Sequence, residues 1–325
     1  MGAAWDEAHS IDRPDGELAM TAYLGMPEPV PTGIGKLDQL LGGGMTRGVT
    51  VIGGEPGAGK TALACMASAY MAMDGQRVVY ASYETAWEVV QLRCASAWSC
   101  TDAAKGIGAS AFSWSDVASG RERAARPAYD GLTRAELSRY AVGSAMDPVA
   151  RTLTLWDEGP GRNLAVLTSD NSAADVCELC QAICAEDGAP PVLVVDYIQI
   201  MPTGARHQQD DYERVTEVMG TLRTHSYSEH GCNVLALSSL RKLNAADRKD
   251  GPSLDWFRGS GHVGYDAEQA VMLTCDMRKN ADGKLERCTS ADGGTEIKIT
   301  TVKNRTGVTG WSTPAVLYGW CSFLK

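Results

Sequence analysis

One stretch, Val49–Thr61 with the sequence VTVIGGEPGAGKT, narrows the fold more than any other part of the chain. Val49, Thr50, Val51 and Ile52 make a mostly β-branched apolar run, the pattern of a buried strand. Gly54-Glu55-Pro56-Gly57-Ala58-Gly59-Lys60-Thr61 then satisfies G-x-x-x-x-G-K-[ST] at every required position. Ala62–Ala72 follows, rich in alanine, leucine and methionine, which favour helix. Strand, glycine loop and helix in this order are the setting in which such a loop wraps a polyphosphate. The glycines allow close backbone approach, the loop N–H groups converge, and the helix N-terminus adds positive potential. In that arrangement Gly54 to Ala62 cradle the phosphates, Lys60 reaches the β- and γ-phosphates, and the Thr61 hydroxyl ligates Mg²⁺. A glycine turn that matched by accident would have no reason to carry the flanking strand and helix.

Strands and helices alternate along the rest of the chain. Ile34–Leu41 has apolar residues at 34, 37, 40 and 41, a short amphipathic helix that Gly42-Gly43-Gly44 ends. Arg77–Ser82 reads as the second strand, with Glu84 just past its end, and Trp87–Trp98 as a helix. Arg151–Trp156 reads as a strand, and Ser172–Ala185 as a helix that Ser172 caps. Val192–Val195 is a continuous apolar run ending in Asp196, which predicts a central parallel strand. Tyr212–His230 is helical, Asn233–Ser238 a strand and Arg241–Arg258 a polar loop. Ala270–Cys275 and Glu296–Lys303 are later strands, with a turn at Gly307 leading to Trp311. The expectation is an α/β fold with a mainly parallel central sheet flanked by helices, over residues 30–325. Residues 1–29, with Pro14, Pro27 and Pro29, read as an arm or linker, within which Ala19–Leu24 could dock on a neighbouring surface. Thr101–Pro148, with Gly106, Gly108, Gly120 and charged Arg121–Arg126, reads as short helices and loops outside the sheet.

Composition sets limits on function. A net charge of −10 excludes a surface coated for nucleic acid, so any DNA contact must be local to a loop or channel. No basic and apolar leader opens the chain, which points to a cytoplasmic-type protein with reduced thiols. Cys177-x-x-Cys180 and Cys184 share a helical stretch but lack a second pair at metal-ligand spacing. They therefore read as small core residues rather than a zinc site. No apolar run approaches the ~20 residues of a membrane span.

Asp196 sits where open α/β sheets bind their ligands, at the C-terminal edge of a central strand. There it would hold Mg²⁺ beside Thr61, directly or through water. Glu84 ends the neighbouring strand, in a position that mirrors Asp196 across the phosphate loop, and is the candidate for activating or orienting an attacking water. The plainer alternative for Glu84 is a solvated carboxylate at a strand end.

Six motifs then occur in order across roughly residues 30–311. They are Pro31-Thr32-Gly33-Ile34-Gly35-Lys36-Leu37-Asp38 with the phosphate loop; Ser82-Tyr83-Glu84; Val194 to Met201; Arg214-Val215-Thr216-Glu217; Arg258-Gly259-Ser260-Gly261 with Asp266-Ala267-Glu268; and Lys303-Asn304-Arg305-Thr306-Gly307 with Gly310. This set resembles the RecA-like ATPase domain of DnaB-type replicative helicases. The resemblance implies a ring, commonly a hexamer, that hydrolyses ATP with Mg²⁺ between its subunits and acts on single-stranded DNA. It implies that Glu84 is the catalytic glutamate and that Lys303 and Arg305 reach across as piston and arginine finger. A basic turn between edge strands is the plainer reading of that hairpin. Arg258, Gly259 and Gly261 match the segment that grips single-stranded DNA in the channel. Arg241, Lys242, Arg248 and Lys249 make the preceding loop basic, either as DNA contacts or as an ordinary solvated loop.

Two departures stand out. Leu237-Ser238 is followed by Ser239, where the family usually has glutamine or histidine, and a serine is too short to sense the γ-phosphate in the same way. Only about 30 residues precede the nucleotide fold, too few for the family's N-terminal collar. The expectation is a minimal helicase, or one whose primase or loader partner supplies the rest. The alternative function is a non-translocating RecA-like ATPase of the regulatory or recombination kind. A small-molecule kinase would require an arginine-rich lid, which the legible part of the chain does not show.

Overall fold

Every residue of β1 (Val49–Gly54) is buried, because parallel strands flank it on both sides and helices cover both of its faces. The computed structural model describes residues 26–119, 148–168, 171–204, 210–280, 282 and 285–325. The expectations for Ala19–Leu24, Gly120 and Arg121–Arg126 lie outside these residues.

In chain order the other elements are α1 (Gly35–Leu41), α2 (Lys60–Met73), β2 (Val78–Ser82), α3 (Trp87–Ser99), α4 (Asp102–Gly106), α5 (Trp114–Ala118) and α6 (Pro148–Glu158). Then come β3 (Leu164–Leu167), α7 (Ala173–Asp187), β4 (Val192–Asp196), α8 (Asp211–Ser226), β5 (Val234–Ser238), α9 (Ala245–Asp250) and α10 (Ser260–Asp266). The chain ends with β6 (Gln269–Cys275), β7 (Met277–Lys279), β8 (Leu285–Arg287), β9 (Thr295–Asn304), β10 (Ser312–Tyr318) and β11 (Phe323–Leu324). The central sheet has the order β11-β10-β9-β6-β1-β5-β4-β2-β3. β1 to β6 run parallel, and β9, β10 and β11 extend the sheet antiparallel. β7 and β8 form a separate hairpin.

Side-chain alternation along the strands divides the core in two. Ile52, Tyr80, Val194, Leu235 and Leu237 pack with α1, α2, α3 and α6. Val51, Val79, Val195 and Ala236 face the opposite layer of α7, α8 and α10. α7 begins as the sequence predicts. The Ser172 hydroxyl accepts from Asp175 N–H, and the Asp175 carboxylate accepts from Ser172 N–H, closing a capping box.

The expected strand at Arg151–Trp156 is instead part of helix α6. Its alternating β-branched and apolar residues imitate a strand, but the residues it buries are Thr152 and Trp156, four apart. Thr152 and Thr154 donate their hydroxyls to the carbonyls of Pro148 and Ala150, at 2.7 and 3.0 Å, bonds that only a helix brings into reach. The edge strand is β3, only four residues long and missed in the sequence. The polar loop expected over Arg241–Arg258 likewise contains α9 and a short 3₁₀ turn at Leu254–Trp256. Among the described residues no helix is long and apolar enough to cross a membrane.

Candidate nucleotide site

The phosphate loop joins the C-terminal end of β1 to the first turn of α2. Gly57 and Gly59 have φ of 75° and 96°, a region that other residues enter at a cost. Space is short as well: a Cβ on Gly59 would stand 2.4 Å from Leu317 Cδ2. Lys60 folds its ammonium back onto the loop, donating to Gly54 O at 2.7 Å and to Glu55 O at 3.4 Å. Burial pushes the Lys60 pKa down, while Asp196 and Glu84 pull it up. A phosphate would give this half-desolvated ammonium a charged acceptor in place of neutral carbonyls.

Asp196 closes the facing wall from the end of β4 and is 2% exposed. The Tyr80 hydroxyl donates to its Oδ2 at 2.9 Å, and Thr61 also hydrogen-bonds to the carboxylate. Burial raises the Asp196 pKa above the usual carboxylate range. The Tyr80 and Thr61 hydrogen bonds pull it back, Glu84 raises it and Lys60 lowers it. Ser82 lies in register with Asp196, so Glu84 emerges two residues past that pairing, exposed. Lys60, Thr61, Glu84 and Asp196 all line one cavity of about 450 Å³ together with Pro56, Gly57, Gly59 and Ala62. A lysine, a hydroxyl and a buried carboxylate on one such cavity fit a Mg²⁺–nucleotide complex.

Glu84 does not mirror Asp196 across the phosphate loop. β2 lies beside β4, and β5 separates β4 from β1, so both carboxylates stand on the same side of the loop. The chain crosses over two strand positions between β1 and β2, which no local pattern reveals.

Several contributors escaped the sequence reading. Arg93 on α3 lines the cavity, with its guanidinium 4.0 Å from the Trp114 ring centroid. Its Nε is buried with no hydrogen-bond partner among the described residues. Arg287 on β8 donates to Pro56 O at 2.7 Å and to Gly57 O at 3.2 Å, bracing the loop from outside. Arg248 pairs with Glu55. Ser239 lines the cavity just beyond β5, as a sensor position would.

Arg241, Lys242 and Arg258 come together beyond the C-terminal end of β5. Leu240 bridges Phe257, Arg241 N–H donates to Trp256 O at 2.9 Å, and Arg258 N–H donates to Ser239 O at 3.1 Å. Lys242 and Arg258 are exposed. Both arginines carry carboxylate partners: Arg258 pairs with Asp211, and Arg241 grips Asp247 in a fork of 2.8 and 2.7 Å. That fork holds the Asp247 carboxyl down to about 2. Gly259, with φ of 77°, caps α10, and Gly261 lies in that helix's first turn rather than in a loop.

Gln199 ties these parts to one another from a buried position. Its Nε2 donates to Ser238 Oγ at 2.8 Å and to Arg258 O at 3.1 Å, while its Oε1 accepts from Ser239 N–H at 3.1 Å. Gln199→Ala leaves three buried groups unpartnered, so it should cost about 1–3 kcal/mol of stability in denaturant unfolding.

Lys303 and Arg305 stand elsewhere. β9 runs antiparallel to β6 with Asn304 opposite Gln269, at the end where the parallel strands begin. Lys303 Nζ donates to Gly264 O at 2.6 Å. Arg305 donates to Tyr265 O at 2.8 Å and lies 3.4 Å from Glu268. Neither lines the cavity of its own chain, which opens at the other end of the strands, roughly 20 Å away along β6.

The sequence matches the family model for the DnaB-like helicase C terminal domain over residues 29–124 and 160–318, well over half its length. The chain belongs to this family. Its fold agrees: a DnaB-like replicative helicase, described with its interactions with primase, superimposes with a TM-score of 0.70 at 17% identity. That match covers 99% of this chain and 70% of the other. A second solved structure, of an isolated ATPase domain, gives 0.66 at 16% identity, over 100% of this DnaB-like domain and 99% of that one. Shorter stretches resemble DNA repair protein RadA. The protein from Brucella abortus (strain 2308) is 41% identical over 80 residues, 23% of this chain and 17% of that one. RadA of Bacillus subtilis (strain 168) is 33% identical over 88 residues, 26% and 19% respectively. The chain thus spans less than a fifth of either RadA.

The hydroxyl of Tyr80 gives a pH prediction for the DnaB-like site. It stabilises the Asp196 carboxylate, so Tyr80→Phe raises the Asp196 pKa further and requires a higher pH to free that carboxylate. The acidic limb of a Mg²⁺-dependent turnover profile should move to higher pH, with the alkaline limb unmoved.

Proposed function

We propose that this DnaB-like domain is an ATP-driven motor on single-stranded DNA that works as a ring, commonly a hexamer. The observation that carries the proposal is the separation of Lys303 and Arg305 from their own chain's cavity. A finger on one edge of the sheet and a cavity on the other can meet only between two copies, and repeating that head-to-tail contact closes a ring.

Lys60 and the Gly57–Thr61 amides bind the triphosphate, and Thr61 and Asp196 hold the ion. Bound there, Mg²⁺ would neutralise charge on the β- and γ-oxygens. Glu84 orients or deprotonates the attacking water. Arg305 of the next subunit presents its planar fork to the γ-phosphate as charge develops, with Lys303 beside it. Arg241, Lys242, Arg258 and the glycines at 259 and 261 contact DNA phosphates, exchanging their intramolecular carboxylates for the backbone. Gln199 links that segment to Ser238 and Ser239 at the cavity, a mechanical route between nucleotide and DNA. Primase or a loader is the expected further partner, and residues 1–29 the arm through which a neighbour is met.

The RadA stretches and the short Ser239 side chain favour a second reading, a recombination-type RecA-like ATPase that does not translocate. ATP turnover measured with and without single-stranded DNA at low salt separates the two. The motor requires stimulation and movement along the strand. Turnover indifferent to DNA would leave the second reading standing.

A further inference from the structure

A second cluster of ligating atoms lies away from the nucleotide, at the opposite end of β5. Cys180 is midway along α7, His225 is next to the last residue of α8, and Cys232 sits in the turn that enters β5. All three are buried, His225 at 5% exposure. Their two sulfurs and the imidazole nitrogen lie within 4.8 Å of one another, with His225 Nε2 at 3.2 Å from Cys232 Sγ. The other ring nitrogen, Nδ1, is buried with no hydrogen-bond partner among the described residues. An imidazole taken out of water and given only a thiol for company is a poor way to fill a core.

We propose that this cluster binds Zn²⁺. Two thiolates and an imidazole are soft N/S donors, the set that selects zinc, whereas Mg²⁺ and Ca²⁺ require oxygen. Zn–S of about 2.3 Å and Zn–N of about 2.0 Å place tetrahedral donor atoms roughly 3.5–3.8 Å apart, a small contraction from the present spacing. Cys177, one turn before Cys180 on the same helix and also buried, provides the fourth thiolate by a change of rotamer. Paired ligands at i and i+3 on one helix are an established way to face a metal. The second pair that the Cys177-x-x-Cys180 spacing lacks in sequence is supplied by the fold, from His225 and Cys232. Binding releases the thiol protons to solvent and pins α7, α8 and the start of β5 to one another.

The test is metal analysis of the full chain, purified without chelator from zinc-supplemented cells and desalted, with intact-mass measurement alongside. About one zinc per chain is expected, and cobalt exchanged into the site should give intense thiolate-to-metal charge-transfer absorption. Cys180→Ala and Cys232→Ala should each lower the zinc content at least about tenfold, while Cys275→Ala, a buried cysteine of the other core, should keep it. His225→Gln preserves the ring's approximate volume and decides the matter if the cysteine variants do not fold. Wild-type protein that stays zinc-free after incubation with excess zinc overturns the proposal. So does a mass two protons short that maps to a Cys180–Cys232 disulfide, or zinc that survives the His225 and cysteine substitutions.

Discussion

Lys60→Ala should abolish ATP turnover and weaken nucleotide binding about 10- to 100-fold, the result of losing charge-assisted bonds worth about 1.5–3 kcal/mol. The reasoning starts from where the ammonium rests. Without nucleotide it is satisfied only by Gly54 O and Glu55 O, and burial already lowers its pKa. A γ-phosphate therefore gains a desolvated cation whose charge is poorly used beforehand. Hydrolysis suffers more than binding, because charge on the γ-phosphoryl oxygens must be met in the transition state, and one lost electrostatic partner costs about 10²–10³ in rate. The fold should survive, since the lysine head contributes only loop contacts. Turnover and fluorescent-nucleotide titration on the same preparation separate the two effects. Normal turnover would remove the phosphate-loop assignment.

Glu84→Gln should behave differently: nucleotide binds as in the wild type while turnover falls about 10²–10⁴-fold, the usual contribution of a general base. Asp196, not Glu84, forms the buried wall beside Thr61, so replacing an exposed carboxylate with its amide disturbs neither loop nor ion site. Removing a negative charge near Lys60 and Asp196 should even strengthen binding slightly, since like charge across the cavity is reduced. Filter-binding of ATP beside a single-turnover time course reads both quantities. Loss of binding would make Glu84 a structural residue.

What could be read from the chain was whatever a few neighbouring residues decide. The phosphate loop, β4 ending in Asp196, β5 and the capped start of α7 all rest on periodicity, glycine spacing or a local hydrogen bond, and all stand close to where they were expected. Features set by long-range packing were not legible. The strand order that puts Glu84 on Asp196's side of the loop depends on crossovers. Arg93, Arg287 and Gln199 reach their places from segments with no motif of their own. At Arg151–Trp156 the local pattern pointed the wrong way, because threonine hydroxyls satisfied within the helix outweighed β-propensity. The basic residues at 241 and 258 were visible as charges, but their partners Asp247 and Asp211 were not.

The central claim is that each nucleotide is served by two chains, one giving Lys60, Asp196 and Glu84 and the next giving Arg305. Mixing Arg305→Ala protein with Glu84→Gln protein tests it most directly, with ATP turnover measured across mixing ratios. Each variant alone should be nearly inactive. In a random mixed ring about a quarter of the interfaces would pair an intact cavity with an intact finger, so turnover should rise and peak near equal proportions. A mixture that assembles into the same particles, yet never exceeds the sum of its two parts, would contradict the account.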